Sequence, residues 1–337
     1  MEHIETPYMC VSIVMPTHNR RESLSRTLLA VAEQDFPADR FEVIIVADGC
    51  TDGTVELLAM LKATLPYSLH WIVQEQSGPA AARNAAIAAA QGDVIAFLDD
   101  DVVPVPGWLS AHMAYHARDA QAVVIGPLSP GSRLRPAWVR WEDDSLQQQY
   151  RAMLAGVYRP TPRQFYTGNS SVRRQWIVQA GGFDGRLRRA EDVELAFRLQ
   201  DLGLHFVFDP SADGLHHSIR TYRSWLGIPR QYGENDVLMG RVRGRAHLLH
   251  AIGREFHHRR RSTRLLARWC LGRPSRYRFV IGTLGLVARR TDRFNWYRPS
   301  AAACSGIWNL AYWQALSEAL GGRSEFWRLV LPRTHAE

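Results

Sequence analysis

Three consecutive aspartates, Asp99-Asp100-Asp101, follow directly on the apolar run of residues 93–98, DVIAFL. Like charges a few ångströms apart raise one another's pKa and repel. A divalent cation resolves that conflict, and carboxylate oxygens suit Mg2+ or Mn2+. Mg2+ commonly takes one or two protein carboxylates and completes its shell with phosphate oxygens. An aspartate cluster at a strand end therefore fits a diphosphate–metal site, although three aspartates alone also make an ordinary solvated acidic turn. A second acidic position, Asp48, ends another apolar run, EVIIVA. Farther along, Glu191-Asp192 opens an amphipathic stretch. A helix N-terminus favours the ionised carboxylate, which can then accept a proton from a hydroxyl; acids also occupy first helical turns for structural reasons alone. The pair His216-His217 suits either a metal contact or a purely structural role. Arg83, on an alanine-rich stretch, can balance the charge of a departing diphosphate or simply be solvated.

These groups need elements to position them. Residues 11–15 (VSIVM), 42–47, 70–74 and 93–98 have the short apolar pattern of buried strands. Between them, residues 21–33, 54–63 and 80–90 have helical spacing, the last opened by Ser77-Gly78-Pro79. Strand and helix in strict alternation predict a mostly parallel sheet flanked by helices. Ligands of such sheets bind beyond the C-terminal ends of the strands. Pro16, Thr17, His18 and Asn19, then Asp48, then the aspartate triplet all stand at those ends. Residues 122–125 and 206–208 are further strand candidates and 191–202 a further helix. The Pro-, Arg- and Trp-rich segment 127–162 has the character of an insertion or acceptor-side segment.

Taken together, the motifs VSIVMPTHNR, VIIVADGCTDGT, GPAAARNAAIAAAQGDVIAFLDDDVVP, TGNSSVRR, GGFDGRLRRAEDVELAFRLQDLG and LHH, in this order, resemble family 2 glycosyltransferases of the GT-A fold. The resemblance covers residues 10–217, about two thirds of the chain. It implies a Rossmann-like α/β sheet domain, a nucleotide-sugar donor, a divalent metal (Mn2+ or Mg2+) and inversion at the anomeric carbon. Pro16 and Thr17 match base-pocket residues, with Asn19 and Gly78 beside them. Asp48 matches the aspartate that bonds the base, usually uracil. Asp99 matches the residue near the ribose and Asp101 the metal ligand of the DxD-type motif, with Asp100 and Arg83 as further nucleotide-sugar-binding candidates. His216 or His217 matches a further metal or diphosphate contact, Asp192 the general base, with Glu191 its neighbour. Gly168, Asn169 and Trp176 are acceptor-side candidates. Ala47 and Cys50 depart from the usual residues around Asp48-Gly49, and the QxxRW motif of processive synthases is missing, since Leu265 precedes Arg268-Trp269 where Gln would stand. Transfer of a single sugar is thereby favoured.

Residues 1–217 are expected to form the catalytic domain, with about 8–126 for the nucleotide sugar and about 127–217 for the acceptor. Residues 218–337 are expected to form a mainly helical extension. The charge divides accordingly. Residues 1–215 carry 19 Lys and Arg against 26 Asp and Glu, a net of −7, and the remainder carries 22 against 7, a net of +15. Six of the 11 Trp lie in that basic remainder. Arginine clusters interleaved with aromatic residues suit an anionic membrane surface and fit a glycan or lipid-linked acceptor for cell-surface polysaccharide or glycoconjugate synthesis; an arginine-rich solvated helical domain is the plainer alternative. No nucleic-acid motif accompanies the charge, so nucleic acid is not an expected partner. The four cysteines have no metal spacing, the first residues lack a signal-peptide pattern, and no apolar stretch reaches about 20 residues. A cytoplasmic protein, peripheral at the inner face of the cell membrane, is the resulting expectation.

Competing functions are separable. A dinucleotide-binding oxidoreductase requires GxGxxG after the first strand, where this chain has PTHNRR. A small-molecule or protein acceptor is the alternative within the transferase reading. A non-catalytic membrane or nucleic-acid binder on a degenerate transferase fold would not be expected to keep Asp48, Asp99, Asp101 and Asp192.

Overall fold

A computed structural model describes residues 10–132, 135–187, 189–218, 220–242 and 245–331. The described chain falls into two compact units, residues 1–133 with 146–218 and residues 134–145 with 219–337.

The first unit begins β1 (Val11–Thr17), α1 (Arg21–Ala32), β2 (Phe41–Asp48), α2 (Thr54–Lys62), β3 (Ser68–Gln74), α3 (Pro79–Ala89) and β4 (Val94–Leu98). It continues with β5 (Val102–Pro104), α4 (Trp108–His116), β6 (Ala122–Ile125), β7 (Leu128–Pro130) and α5 (Ala137–Leu154), inside which the boundary between the units falls. Then come β8 (Asn169–Arg173), α6 (Arg174–Gln179), α7 (Glu191–Asp201), β9 (His205–Phe208) and β10 (Gly214–His216). The main sheet has the order β3-β2-β1-β4-β8-β6-β9. All its pairings are parallel except those of β8, which runs antiparallel to β4 and β6. A small sheet, β5-β10-β7, lies beside the strand-end aspartates in sequence.

Alternation along the strands explains why both faces of the sheet are covered. Ile13, Met15, Val43, Ile45, Ala96 and Leu98 enter one core cluster, and Val14, Ile44, Val46, Ile95 and Phe97 enter the other. A strand buried on both faces loses its polar alternation, hence the continuous apolar runs in the sequence. The first strand does not stop at Pro16: β1 pairs with β2 through Thr17↔Ala47, whereas its pairing with β4 ends at Val14↔Phe97. Proline is tolerated where one side of the strand no longer needs a ladder donor.

Segment 127–162 contains β7 and the 18-residue α5, so it is largely structured. Strand β8, NSSVR, is polar in sequence yet buried from Asn169 to Val172. The side chains of Asn169 and Ser171 are satisfied sideways, whereas Ser170 Oγ is buried without a hydrogen-bond partner. Asn169 Oδ1 accepts from Trp108 Nε1 at 2.7 Å and lies 3.0 Å from His112 Nε2. Ser171 Oγ lies 2.9 Å from His112 Nδ1 and 2.8 Å from His116 Nε2. Burial is the main cause that pushes His112 down to about 4 and His116 down to about 3, so both rings are neutral.

The second unit is helical: α8 (Tyr222–Val242), α9 (Ala246–His258), α10 (Arg261–Cys270), α11 (Pro274–Arg293), α12 (Tyr297–Leu320) and α13 (Arg323–Val330). Its core has two parts. One gathers Trp225, Ile228, Cys304 and Ile307 with Trp141 and Trp308; the other gathers Phe256, Trp313, Leu316 and Phe326. Among the described residues no helix is long and apolar enough to cross a membrane.

Candidate active site

The predicted acidic positions meet at the C-terminal strand ends of the first unit. Asp48 terminates β2 and is buried. Its Oδ1 accepts from Gln74 Nε2 (2.8 Å) and Ser77 N (2.7 Å), and its Oδ2 accepts from Gly78 N (2.9 Å). The carboxylate thus holds the whole turn from β3 into α3. Two glycines make that turn possible. Gly78 sits at φ +90°, and a Cβ on Gly49 would stand 2.8 Å from Gln76 Cβ. Asn19, at φ 52°, accepts from Thr51 N at 2.8 Å, while His18 Nδ1 lies 2.6 Å from Asp48 O. The loops after β1 and β2 are therefore tied together.

Asp99, Asp100 and Asp101 leave β4 in three different directions. Asp99 is the accessible one, with its side chain 38% exposed. Asp100 is buried and accepts from Thr17 Oγ1 at 2.7 Å. Burial is the first cause that lifts Asp100 to about 6; Arg20 and Thr17 oppose the rise, and the two flanking aspartates add to it. Arg20 Nη1 lies 2.9 Å from Asp100 Oδ1 and 2.8 Å from Asp101 Oδ2. One arginine thus offsets two of the three negative charges. The other oxygen of Asp101, Oδ1, stands 3.5 Å from His216 Nε2 at the end of β10.

On α3, Arg83 joins two acidic groups. Its Nη1 donates to Glu191 Oε1 at 2.9 Å and its Nη2 to Asp99 Oδ1 at 3.1 Å. The next residue, Asn84, pins the chain before α7 through both bonds to the Phe183 backbone, each within 2.9 Å. Helix α7 then starts from Ala190 at φ 57°, a left-handed conformation that costs a non-glycine residue about 1 kcal/mol. Asp192 follows, with Oδ1 accepting from Val193 N at 2.7 Å. Its carboxyl is pushed up to about 7, first by burial and then by the neighbouring Glu191 charge, with Arg83 pulling it down. A carboxylate held near neutrality is suited to accept and return a proton.

Most of the predicted site residues converge here: Thr17, Asp48, Gly78, Arg83, the three aspartates, Glu191, Asp192 and His216. Pro16 and Asn19 stand at the end of β1 and in the loop beyond it. Gly168 also belongs, since a Cβ there would stand 2.9 Å from Asp99 Oδ2. Three candidates are placed differently. Asn169 is fully buried, and its Nδ2 donates to Pro127 O and Ala212 O, so it clamps loops rather than facing a ligand. Trp176 packs on the core from α6, beyond the far end of β8, with Nε1 bonded to Ala120 O at 2.7 Å. His217 donates its backbone N–H to Asp101 O at 2.8 Å, and its ring lies against Gly131. It is therefore the His216 ring that approaches Asp101.

Reading the sequence overlooked Arg20 and Asn84, although both lie inside quoted motifs, VSIVMPTHNR and GPAAARNAA. Helical spacing placed Asn84 on its helix and left Arg20 just before one, but their partners are 80 and 99 residues away. Among the described residues no group of three or more His, Cys, Asp or Glu side chains has the geometry to hold a metal. Asp101 with His216 is a two-donor set of a kind that a divalent cation completes with phosphate oxygens.

Comparison with known proteins bears on the family and the fold. The family model for glycosyl transferase family 2 matches residues 12–190, more than half of the chain. Glycosyltransferase YfnE of Bacillus subtilis is 28% identical over 246 residues, which span 59% of this chain and 62% of that one. The chain thus covers less than two thirds of that relative's length. Among solved structures, the mannosyltransferase PcManGT from Pyrobaculum calidifontis, in complex with GDP-Man and Mn2+, has a TM-score of 0.53 at 21% identity. That likeness covers 68% of this chain and 62% of the other. TarS 1–349 of S. aureus, in complex with UDP, has a TM-score of 0.53 at 16% identity and covers 93% of this chain and 92% of its own. At such identities the likeness is one of fold, and that fold is GT-A.

Proposed function

This chain belongs to glycosyl transferase family 2 and is a transferase enzyme, and from that premise we propose that it moves one sugar, with inversion, from a nucleotide-diphosphate sugar to a hydroxyl acceptor. UDP is the nucleotide we favour, and a glycan or lipid-linked saccharide the acceptor. The observation that carries the reading is the Arg83 bridge, which ties the strand-end Asp99 to the Glu191-Asp192 pair. A base and a donor-side carboxylate are thereby held on one scaffold. The UDP in the TarS complex and the GDP-Man and Mn2+ in the mannosyltransferase complex support a nucleotide sugar and a divalent metal by analogy of fold.

In the proposed reaction, Asp192 accepts the proton of the acceptor hydroxyl as its oxygen attacks the anomeric carbon. The new carbon–oxygen bond forms on the face opposite the departing diphosphate, whose bond to the same carbon breaks, so the configuration inverts. Asp101 and His216 are the residues that would hold the cation. When bound, that cation supplies Lewis-acid stabilisation of the charge on the leaving diphosphate. Arg20 keeps Asp100 and Asp101 oriented, and Arg83 keeps Asp99 and Glu191 in place. Asp48 shapes the nucleoside end of the site through the turn it holds. Release of nucleoside diphosphate from a panel of nucleotide sugars, with Mn2+ or Mg2+ and after chelation, tests the proposal. Metal-dependent release that disappears in Asp192→Asn, with donor binding kept, is the expected result; no release from any nucleotide sugar would refute it.

A further inference from the structure

Helices α10 and α11 of the second unit each bury one face and carry a second apolar stripe outward. In α10 the inward side is Ala267 and Cys270; in α11 it is Val280, Ile281, Gly285 and Ala288. On the outer side, Leu265 is 63% exposed and Trp269 44%, one helical turn apart. On α11, Phe279 is 67% exposed and Leu286 51%, two turns apart on one face. The turn after α11 adds Phe294 at 66% and Trp296 at 62%, their ring centroids 5.8 Å apart. Arg276 of α11 sits over the Trp269 ring of α10 at 5.3 Å, so the two stripes adjoin.

The charge around these stripes is one-sided. Residues 261–298 include ten arginines and a single acid, Asp292. That acid is committed to Arg140, 2.6 Å away. Scattered exposed apolar residues need no explanation, but an ordered stripe edged by arginines does. Arginine stems lie along apolar surface while their heads reach phosphate. We propose that α10, α11 and the turn that follows form a docking face that lies in the headgroup plane of an anionic lipid surface. A second copy of this chain would bring arginine against arginine. A nucleic acid would match the charge and could stack on the exposed rings, but Leu265 and Leu286 add aliphatic surface, which suits acyl chains better than bases. An apolar stripe with a basic margin is the pattern of a helix that lies on a membrane without crossing it.

Flotation of the full chain with vesicles tests this. Vesicles of phosphatidylcholine with phosphatidylglycerol should carry the protein, vesicles of phosphatidylcholine alone should not, and added salt should weaken the attachment. The double variant F279S/L286S should reduce the bound fraction at least about tenfold, and R276E/R290E should do the same. Circular dichroism, thermal midpoint and nucleoside diphosphate release in solution should stay unchanged in both variants. This separates failure of the docking face from failure of the transferase reading. Attachment that ignores lipid charge, or that survives both double variants, would overturn the proposal. So would tighter binding to an oligonucleotide than to anionic vesicles, or a dimer in sedimentation that the F279S/L286S variant dissolves.

Discussion

Arg83 Nη1 lies 2.9 Å from Glu191 Oε1 across 108 residues of chain, with only 6% and 9% of the two side chains exposed. Helix α3, whose first turn is held by Asp48, is fixed through Arg83 to the start of α7, where Asp192 stands. The guanidinium also reaches Asp99 and lies over the Phe183 ring at 5.8 Å. The turn held by Asp48, the strand-end Asp99 and the start of α7 are thus connected through one side chain.

Replacing Arg83 with Met should therefore cost both stability and turnover. Removing one partner of a buried pair leaves the other charged and unpaired, typically at about 3–5 kcal/mol. The loss here belongs mainly to Glu191, because Asp99 is partly solvated and its share is screened. Urea unfolding of Arg83→Met against Arg83→Met/Glu191→Gln measures it. The double variant should recover much of the stability, and turnover in both should stay lower by about a hundredfold, the scale of a misplaced reacting group.

The same arrangement sets a pH dependence. Asp192 must be ionised to act as a base, and its carboxyl stands at about 7. In the proposed reaction kcat/KM should rise with pH and level off just above neutrality. Arg83 is one of the groups that lower this pKa. Its replacement should move the rising limb to higher pH, whereas a mutation that merely loosens the fold would lower the plateau and leave the limb in place. A kcat/KM profile of both proteins distinguishes these outcomes.

How far the sequence anticipates this site depends on the distance over which each group is recruited. Strands β1, β2 and β4 are legible because burial on both faces leaves continuous apolar runs, and their C-terminal ends locate Asp48 and the aspartate triplet. Helix α7 is legible from its spacing. Strand β8 is not, since its Asn and Ser side chains are buried by virtue of Trp108, His112 and His116 on a helix more than 50 residues away. Helix α5 is hidden behind the Pro-rich residues before and after it. Trp176 looks like a ligand-facing aromatic in sequence, and only tertiary packing assigns it to the core.

Buried titrating groups also shape stability, and here they oppose one another. For His112 and His116 the folded pKa values lie below the ordinary 6.5, at about 4 and about 3. The stability they contribute is present above 6.5 and is lost as pH falls through the folded values. Asp100 and Asp192 lie above the ordinary 3.8, at about 6 and about 7. Their stabilising contribution is present below 3.8 and is lost as pH rises through 6 and 7. Between pH 7 and pH 5 the histidines remove stability and the aspartates restore it, so the two pairs oppose one another. In Asp100→Asn/Asp192→Asn the opposing contribution disappears, and urea midpoints should fall more between pH 7 and pH 5 than those of the parent protein. Measurements with chelator present keep metal linkage out of the comparison.

Asp101 and His216 offer a cation one oxygen and one nitrogen from the protein. Two donors 3.5 Å apart are too few for a closed structural site, and they suit a cation whose other ligands come with the substrate. Metal binding should accordingly be weak for the protein alone and much tighter once a nucleoside diphosphate is present. Arg20 already lies against the other oxygen of Asp101, so the cation must share that carboxylate with a fixed positive charge. This arrangement weakens binding further in the absence of diphosphate. Electron paramagnetic resonance of free Mn2+ should therefore show little uptake by the protein, and clear uptake with UDP added. Asp101→Asn should abolish the UDP-dependent uptake. His216→Ala should weaken it strongly, because it removes one of the two protein donors, and His217→Ala should leave it close to the parent value, since the His217 ring lies against Gly131. If uptake were as strong without UDP, the site would be a preformed metal centre and the two-donor reading would fail. If His217→Ala and His216→Ala lost uptake equally, the assignment of His216 over its neighbour would fail.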